Sequence, residues 1–198
     1  MRLMRNFGFR GNDNVIYIGT NGKMTEVCAA MGLTSLESVN DFIRKNRSNY
    51  ETYSRELAGI PGLSLMPYDR TQPSNYQYLV VEVDEENSGL TRDELVAVLV
   101  SENVLARRYF FPGCHRMEPY RSFFPNAGLL LPETEKLCNR IMVLPTGTAV
   151  NDESISTICD TLRVAITDAS LVAQRLARLS SSHSDFPIEA AKPATGNI

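Results

Sequence analysis

Histidine is scarce in this sequence: the 198 residues contain two, His115 and His183. Two imidazoles so far apart cannot supply a His-based metal cluster. The four cysteines, Cys28, Cys114, Cys138 and Cys159, contain no C-x-x-C pair. They read as reduced, partly buried small apolar residues, not as a disulfide frame or a zinc site. Cys114 beside His115 invites comparison with a thiol nucleophile and its base. Adjacent residues on an extended chain point to opposite faces, however, which makes a poor pair. A basic excess is also missing, since 20 Lys and Arg face 23 Asp and Glu for a net charge of -3. That balance argues against a dedicated nucleic-acid binder. No apolar run approaches the roughly 18 residues of a membrane span, because Glu82, Asp84 and Glu102 interrupt the richest stretches. The start, Met1-Arg2-Leu3-Met4-Arg5, has no apolar signal-peptide core, so a cytoplasmic location is expected.

The composition is ordinary for a globular chain, with 43% hydrophobic and 22% charged residues. Its length suffices for one sizeable core or two small ones. Residues 1 to 22 are polar and glycine-rich, with a strand-like piece at Val15-Ile16-Tyr17-Ile18. From Met24 to about Gly59 apolar residues recur at helical steps (Val27, Met31, Leu36, Val39, Phe42, Ile43, Tyr50, Tyr53, Leu57), with a slip near Gly32. Gly59-Ile60-Pro61-Gly62 ends the pattern. A helix of this length is expected to kink or break in the middle and to bridge two layers or domains.

Beyond it the pattern changes. Tyr76 to Val83 reads as a strand, and Thr91-Arg92-Asp93-Glu94 has the capping-box spacing that opens a helix through Val100. Val104 to Phe111 is a second strand candidate, ended by Pro112-Gly113. A helix is expected from Glu133 to about Met142, then an extended Val143-Leu144-Pro145. Asn151 or Asp152 can cap a final helix carrying Ile155, Ile158, Leu162, Val164 and Ile166. This alternation indicates an α/β or α+β layer structure over residues 60 to 168. The Ser-, Ala- and Pro-rich end is expected not to pack.

Two segments carry chemistry. Gly19-Thr20-Asn21-Gly22-Lys23 fails the Walker pattern in both glycine spacing and the residue after Lys. It still places Gly and Asn ahead of a helix, where free N–H groups and the positive dipole end suit an anion. A plain turn and helix start would look the same. The second segment, Arg107 to Tyr120, combines cations, aromatic rings and one imidazole. Such a mix can hold a phosphorylated or sugar-like ligand through charge-assisted and stacking contacts. A solvated basic loop is the simpler alternative, and single-stranded nucleic acid is a lesser one.

In order, these segments resemble the carboxy-terminal part of the DegT/StrS-type sugar aminotransferases. Arg5-Asn6-Phe7-Gly8-Phe9 is similar to the family's R-N-H-G-F. Gly19 to Leu33 is similar to G-Y-N-Y-R-M-S-E-I-Q-A-A-I-G-L. The strand Asn75 to Val81, the loop Tyr109 to Arg116, Leu131 to Leu137 and Val143-Leu144-Pro145 follow at the family's places. The resemblance covers roughly residues 2 to 168. It departs at Thr20 and Gly22, which replace aromatic positions, and at Gly113-Cys114, which bears on substrate preference.

The resemblance implies the fold-type-I, aspartate aminotransferase-like α/β fold with an α+β small domain. Residues 1-58 would be the end of the large domain that binds pyridoxal phosphate (PLP), together with the bridging helix. Residues 59-170 would be the small domain and 171-198 a flexible tail. It implies that Asn21 reaches the PLP phosphate of the neighbouring subunit in a homodimer. Arg108, Tyr109 and His115 would face a nucleotide-linked keto-sugar that receives an amino group, typically from glutamate, in amino-sugar or polysaccharide biosynthesis. The family's Schiff-base Lys, its pyridinium-pairing Asp and its first phosphate loop are expected upstream of Arg5. This polypeptide alone is therefore expected not to transaminate, and catalytic residues are expected in an N-terminal half with which it would associate. A non-catalytic truncated or split-gene partner, and a nucleotide-sugar-binding module, are the rival readings.

Overall fold

The structure is a computed structural model that describes residues 1–10, 14–109 and 111–182. It forms two compact units, Met1–Arg44 and Lys45–Ile198. In the first unit, β1 (Phe9–Arg10) and β2 (Asn14–Val15) pair antiparallel, Phe9 opposite Val15. Ile16, Tyr17 and Ile18, expected to extend this strand, lie outside the pair and are exposed.

Helix α1 (Glu26–Glu56) runs unbroken for 31 residues, in contrast to the expected mid-helix break. A single Gly costs an exposed helix only about 1 kcal/mol, and Gly32 has nothing within 4 Å of its Cβ position to force a bend. The hydroxyls of Thr34 and Ser35 donate to the carbonyls of Ala30 and Met31, at 3.2 and 2.9 Å. The apolar residues on the first part of the helix, Val27, Met31 and Leu36, are exposed by 69%, 67% and 64%.

The second unit holds the apolar core of the described residues, from Tyr53 to Ile166. Its sheet is three-stranded and antiparallel, in the order β3 (Leu63–Leu65), β4 (Leu79–Val83), β5 (Ile141–Leu144). Leu65 faces Val81, and Val81 faces Met142 on the other side. Strand alternation puts Leu79, Val81, Val83, Met142 and Leu144 on the buried side. After β4 comes a short helix, α2 (Glu85–Ser88), then α3 (Arg92–Ser101), for which Thr91 and Glu94 form the expected capping box. A 3-10 turn (Cys114–Arg116) and two single-turn helices, α4 (Tyr120–Phe123) and α5 (Ala127–Leu130), lead to α6 (Pro132–Arg140). Asn151 caps α7 (Asp152–Thr167), whose Ile155, Ile158 and Leu162 enter the core.

Three sequence expectations need correction. The strand expected at Tyr76 begins at Leu79, because Tyr76 has φ +51 and the Tyr78 N–H donates to the Tyr68 hydroxyl instead of a ladder. No strand forms over Val104 to Tyr109: only Arg107 pairs, with Val143, and Leu105 is 76% exposed. Phe110, in the same stretch, lies outside the described residues. Finally, α8 (Ala169–Ser182) occupies the beginning of the segment read as a flexible tail. Ala169, Val172 and Ala173 recur at helical spacing and pack against the core. Residues 183–198 lie outside the described residues.

The last part of α1 belongs to this core. Tyr53 is fully buried, and its hydroxyl donates to the Pro145 carbonyl at 3.0 Å. Burial raises its phenol above the ordinary value. Asn49, also fully buried, donates to the Thr146 hydroxyl and the Gly147 carbonyl. We expect Leu162→Ala to cost about 2–5 kcal/mol and Met31→Ala to stay within about 0.5 kcal/mol in urea unfolding. Similar costs at the two positions would contradict this division of the chain.

Candidate functional site

The basic, aromatic loop after α3 is held at both ends by carboxylates. At its start, Asp93 accepts from the Arg92 Nε at 2.6 Å and from Arg108 Nη1 at 3.4 Å. Arg92 is 3% exposed, and its Nη1 donates to the Ile141 carbonyl at 2.6 Å. Both guanidinium groups stand over the Phe111 ring, Arg92 at 5.2 Å and Arg108 at 4.8 Å from its centroid. Arg108 therefore has a fixed direction while its side chain stays 45% exposed. Tyr109 stacks on Tyr78 with ring centroids 5.5 Å apart, and the Arg107 guanidinium stands 5.5 Å from the Tyr109 centroid. A hydrogen bond with Tyr109 raises the Tyr78 phenol above its ordinary value.

At the other end, Glu135 on α6 is the hub. Its Oε1 meets His115 Nε2 at 2.6 Å and accepts from Arg116 Nε at 2.7 Å, while Oε2 accepts from Arg116 Nη2 at 2.7 Å. The His115 side chain is only 9% exposed and that of Glu135 is 20% exposed. Two glycines make the arrangement possible. Gly113 has φ +95, and a Cβ there would lie 2.7 Å from His115 Cε1 and 3.1 Å from Cys138 Sγ. A Cβ on Gly128 would lie 2.7 Å from Glu135 Oε1.

The structure thus leaves Arg108 accessible beside a half-buried Tyr109 and turns His115 inward onto Glu135. Residue spacing did not single out Glu135 or Asp93 as functional. Their partners are 20 and 15 residues distant in sequence, and carboxylates on exposed-looking helices carry no local signal. Cys138 and Cys159 are buried, as read from the sequence, whereas Cys28 and Cys114 are exposed. Burial pushes the Cys159 thiol up to about 12, which makes it a poor nucleophile. A cleft of about 870 Å³ beside α2, α3 and α6 is lined by both signs of charge, including Asp84, Glu86, Lys136 and Arg140. Such a lining does not select an anion. Among the described residues no cluster of three or more His, Cys, Asp or Glu side chains could hold a metal, and no helix is long and apolar enough to cross a membrane.

In the first unit, Asn21 lies on an exposed loop whose backbone is tied down. It forms a bridge with Asn6, the Thr20 N–H donates to the Met4 carbonyl at 2.8 Å, and the Gly22 N–H donates to Arg5 at 2.9 Å. Thr25 then accepts from the Cys28 N–H at 3.2 Å, over the first turn of α1. Lys23 stands 5.5 Å from the Phe7 ring centroid and is exposed.

These two segments lie within a match to the profile of the DegT/DnrJ/EryC1/StrS aminotransferase family over residues 1–163, and the chain belongs to this family. It is 31% identical over 152 residues to the dTDP-4-amino-4,6-dideoxy-D-glucose transaminase of Escherichia coli, covering 77% of this chain and 41% of that protein. The Shigella dysenteriae transaminase of the same name is 32% identical over 162 residues, covering 81% and 43%. A crystal structure of DesI with its TDP-sugar product superposes with a TM-score of 0.80 at 43% identity, covering 89% of this chain and 44% of that one. The chain spans less than half the length of these relatives. It has the carboxy-terminal part of the fold-type-I architecture, as the resemblance implied.

The Glu135 hub has a pH signature. Hydrogen bonds from Arg116, and next from His115, hold its carboxyl down to about 2. An unfolded Glu titrates at about 4.3, so the stabilisation is complete above that value and is lost as pH falls toward the folded one. Glu135→Gln is therefore expected to flatten the fall in urea midpoint between about pH 6 and about pH 3. Equal slopes for variant and wild type would remove Glu135 from that role.

Proposed function

We propose that this chain is the carboxy-terminal portion of a PLP-dependent aminotransferase acting on a nucleotide-linked keto-sugar. The observation that carries the reading is the family match over residues 1–163, combined with the fixed yet exposed Arg108 and the half-buried, stacked Tyr109 beside it. Arg108 offers a charge-assisted contact to the phosphates of a nucleotide sugar, and Tyr109 an aromatic face to its sugar or base. His115 serves the same site from behind, since its Nε2 is committed to Glu135.

The residues fit PLP at one point. The Asn21 carboxamide is exposed on a loop with fixed backbone, and among the described residues it has no side-chain hydrogen-bond partner. It is free to donate to the cofactor's phosphate, across a homodimer or from an associated catalytic half. When bound, PLP supplies the electron sink and the carbonyl-derived group that carries nitrogen. This chain binds and orients; no described lysine is set up to react. Lys23 and Lys136 are exposed and Lys45, on α1, is only half-buried, whereas a lysine activated for such chemistry is desolvated.

The exposed Val27, Met31 and Leu36 favour an associating chain over a stand-alone binding module. The partner is a second copy or an N-terminal half. The DNA upstream of Met1 is expected to encode a Ser-x-His-x-x-Lys segment, in frame or in an adjacent gene. Co-expression with that segment should give PLP-dependent amination of a TDP-linked 4-keto-sugar by glutamate, followed by mass spectrometry. Asn21→Ala should weaken PLP retention about tenfold, the loss of one hydrogen bond to a charged group. Unrelated upstream sequence, or amination unaffected by PLP removal, would sink the proposal.

A further inference from the structure

We infer that Glu135 is a positioning residue for the substrate loop, acting through His115 and Arg116 without touching the substrate. The inference rests on the functional reading above only for the identity of what the loop meets. Four features of the geometry lead to it. The segment from Phe111 to Met117 has no sheet ladder to hold it, and its regular structure is one 3-10 turn over Cys114–Arg116. Long-range anchorage of that turn by described side chains is concentrated in Glu135, with three contacts of 2.6 to 2.7 Å. All three are charge-assisted, and the Arg116 pair is bidentate, which fixes direction as well as distance.

The second feature is burial. With its ring 9% exposed, His115 has little water to replace a lost partner, so its Nε2 depends on the carboxylate. Third, Glu135 is itself fixed, as part of α6 with Pro132 in its first turn and with Cys138 buried one turn later. Helix α6 leads directly into β5, the strand that pairs with both β4 and Arg107. The loop is thereby referenced to the sheet at both ends. Asp93 and Arg92 set its beginning at Arg108, and Glu135 sets its end. Phe111, whose ring meets the guanidinium groups of both Arg92 and Arg108, lies in sequence between these anchors and would transmit a shift at the turn to the guanidinium of Arg108.

Fourth, the close approach of Gly128 offers a way to move the carboxylate without removing its charge. Its Cβ position lies 2.7 Å from Glu135 Oε1. That oxygen ends a flexible side chain, yet His115 Nε2 and Arg116 Nε both hold it, so an added methyl displaces it from these two partners. Gly128 is not among the residues with positive φ, so Ala carries no backbone strain there. A merely electrostatic or global role for Glu135 would ignore this substitution; a positioning role would not.

The test compares the full chain with Glu135→Gln and Gly128→Ala by hydrogen-exchange mass spectrometry. Exchange is expected to rise about tenfold in peptides covering residues 111–117 in both variants, the effect of losing one charge-assisted hydrogen bond. Peptides covering β4 and β5 should keep wild-type protection, and the double variant should add little to either single change. With TDP-glucose as the probe in calorimetry, affinity is expected to fall about tenfold in each variant. Unchanged loop exchange in Gly128→Ala would overturn the inference. So would loss of protection spread evenly over β4 and β5, which would make Glu135 a residue of global stability. If wild-type chain fails to bind TDP-glucose while loop exchange responds as expected, the positioning role stands and the nucleotide-sugar reading falls.

Discussion

The structure depends on the burial of the last turns of α1 in the sheet-bearing unit. Tyr53, fully excluded from water, carries its hydroxyl to the Pro145 carbonyl, and Asn49 holds the same connection at Thr146 and Gly147. That connection joins β5 to α7, so one helix fixes the sheet edge and the start of the helix covering it. Burying the ring contributes through apolar area removed from water. The Tyr53 hydroxyl and the Asn49 amide nitrogen contribute mainly by not being left unpaired, whereas Asn49 Oδ1 is buried without a partner among the described residues. The site inherits its frame from this packing, because Arg107 pairs with β5 and Arg92 reaches the carbonyl of Ile141 at its first residue.

Charge then does locally what the sheet does globally. The loop after α3 has too few backbone partners to hold itself, so Asp93 and Glu135 hold it through arginine and histidine side chains. Carboxylate pairs of this kind fix direction more than they add stability when partly exposed. Their consequence is a surface where Arg108 and Tyr109 are presented in a defined orientation. If these residues meet phosphates and a sugar, as proposed above, orientation is what they contribute.

Much of the fold was legible in the sequence, and the reasons differ by element. The α3 cap at Thr91 and Glu94, the Asn151 cap of α7 and the α1 periodicity are local signals, and each produced its element. The strand expected over Val104 to Phe111 does not form over the described Val104 to Tyr109, because β-branched and aromatic content cannot tell a paired strand from a loop held by side chains. Of the kink or break expected in α1, no break occurs, because a lone exposed Gly carries only a propensity penalty. For the site, the cationic and aromatic character of Arg107 to Tyr120 was readable, but the partners of its residues were not. His115 is expected from the resemblance to face the substrate, and no local signal shows that α6 places Glu135 against its Nε2. Asn21 was readable only through an ordered motif, Gly19 to Leu33, and the resemblance it carries.

In the function proposed above, this chain supplies binding and orientation while the reactive amine comes from elsewhere. It contains four lysines, Lys23, Lys45, Lys136 and Lys192. The most direct measurement incubates the purified chain with PLP, reduces it with borohydride and maps the modified lysines by peptide mass spectrometry. The account predicts no stoichiometric adduct at any of the four. A stoichiometric adduct at one of them, Lys23 above all, would contradict it and make this chain a complete PLP site.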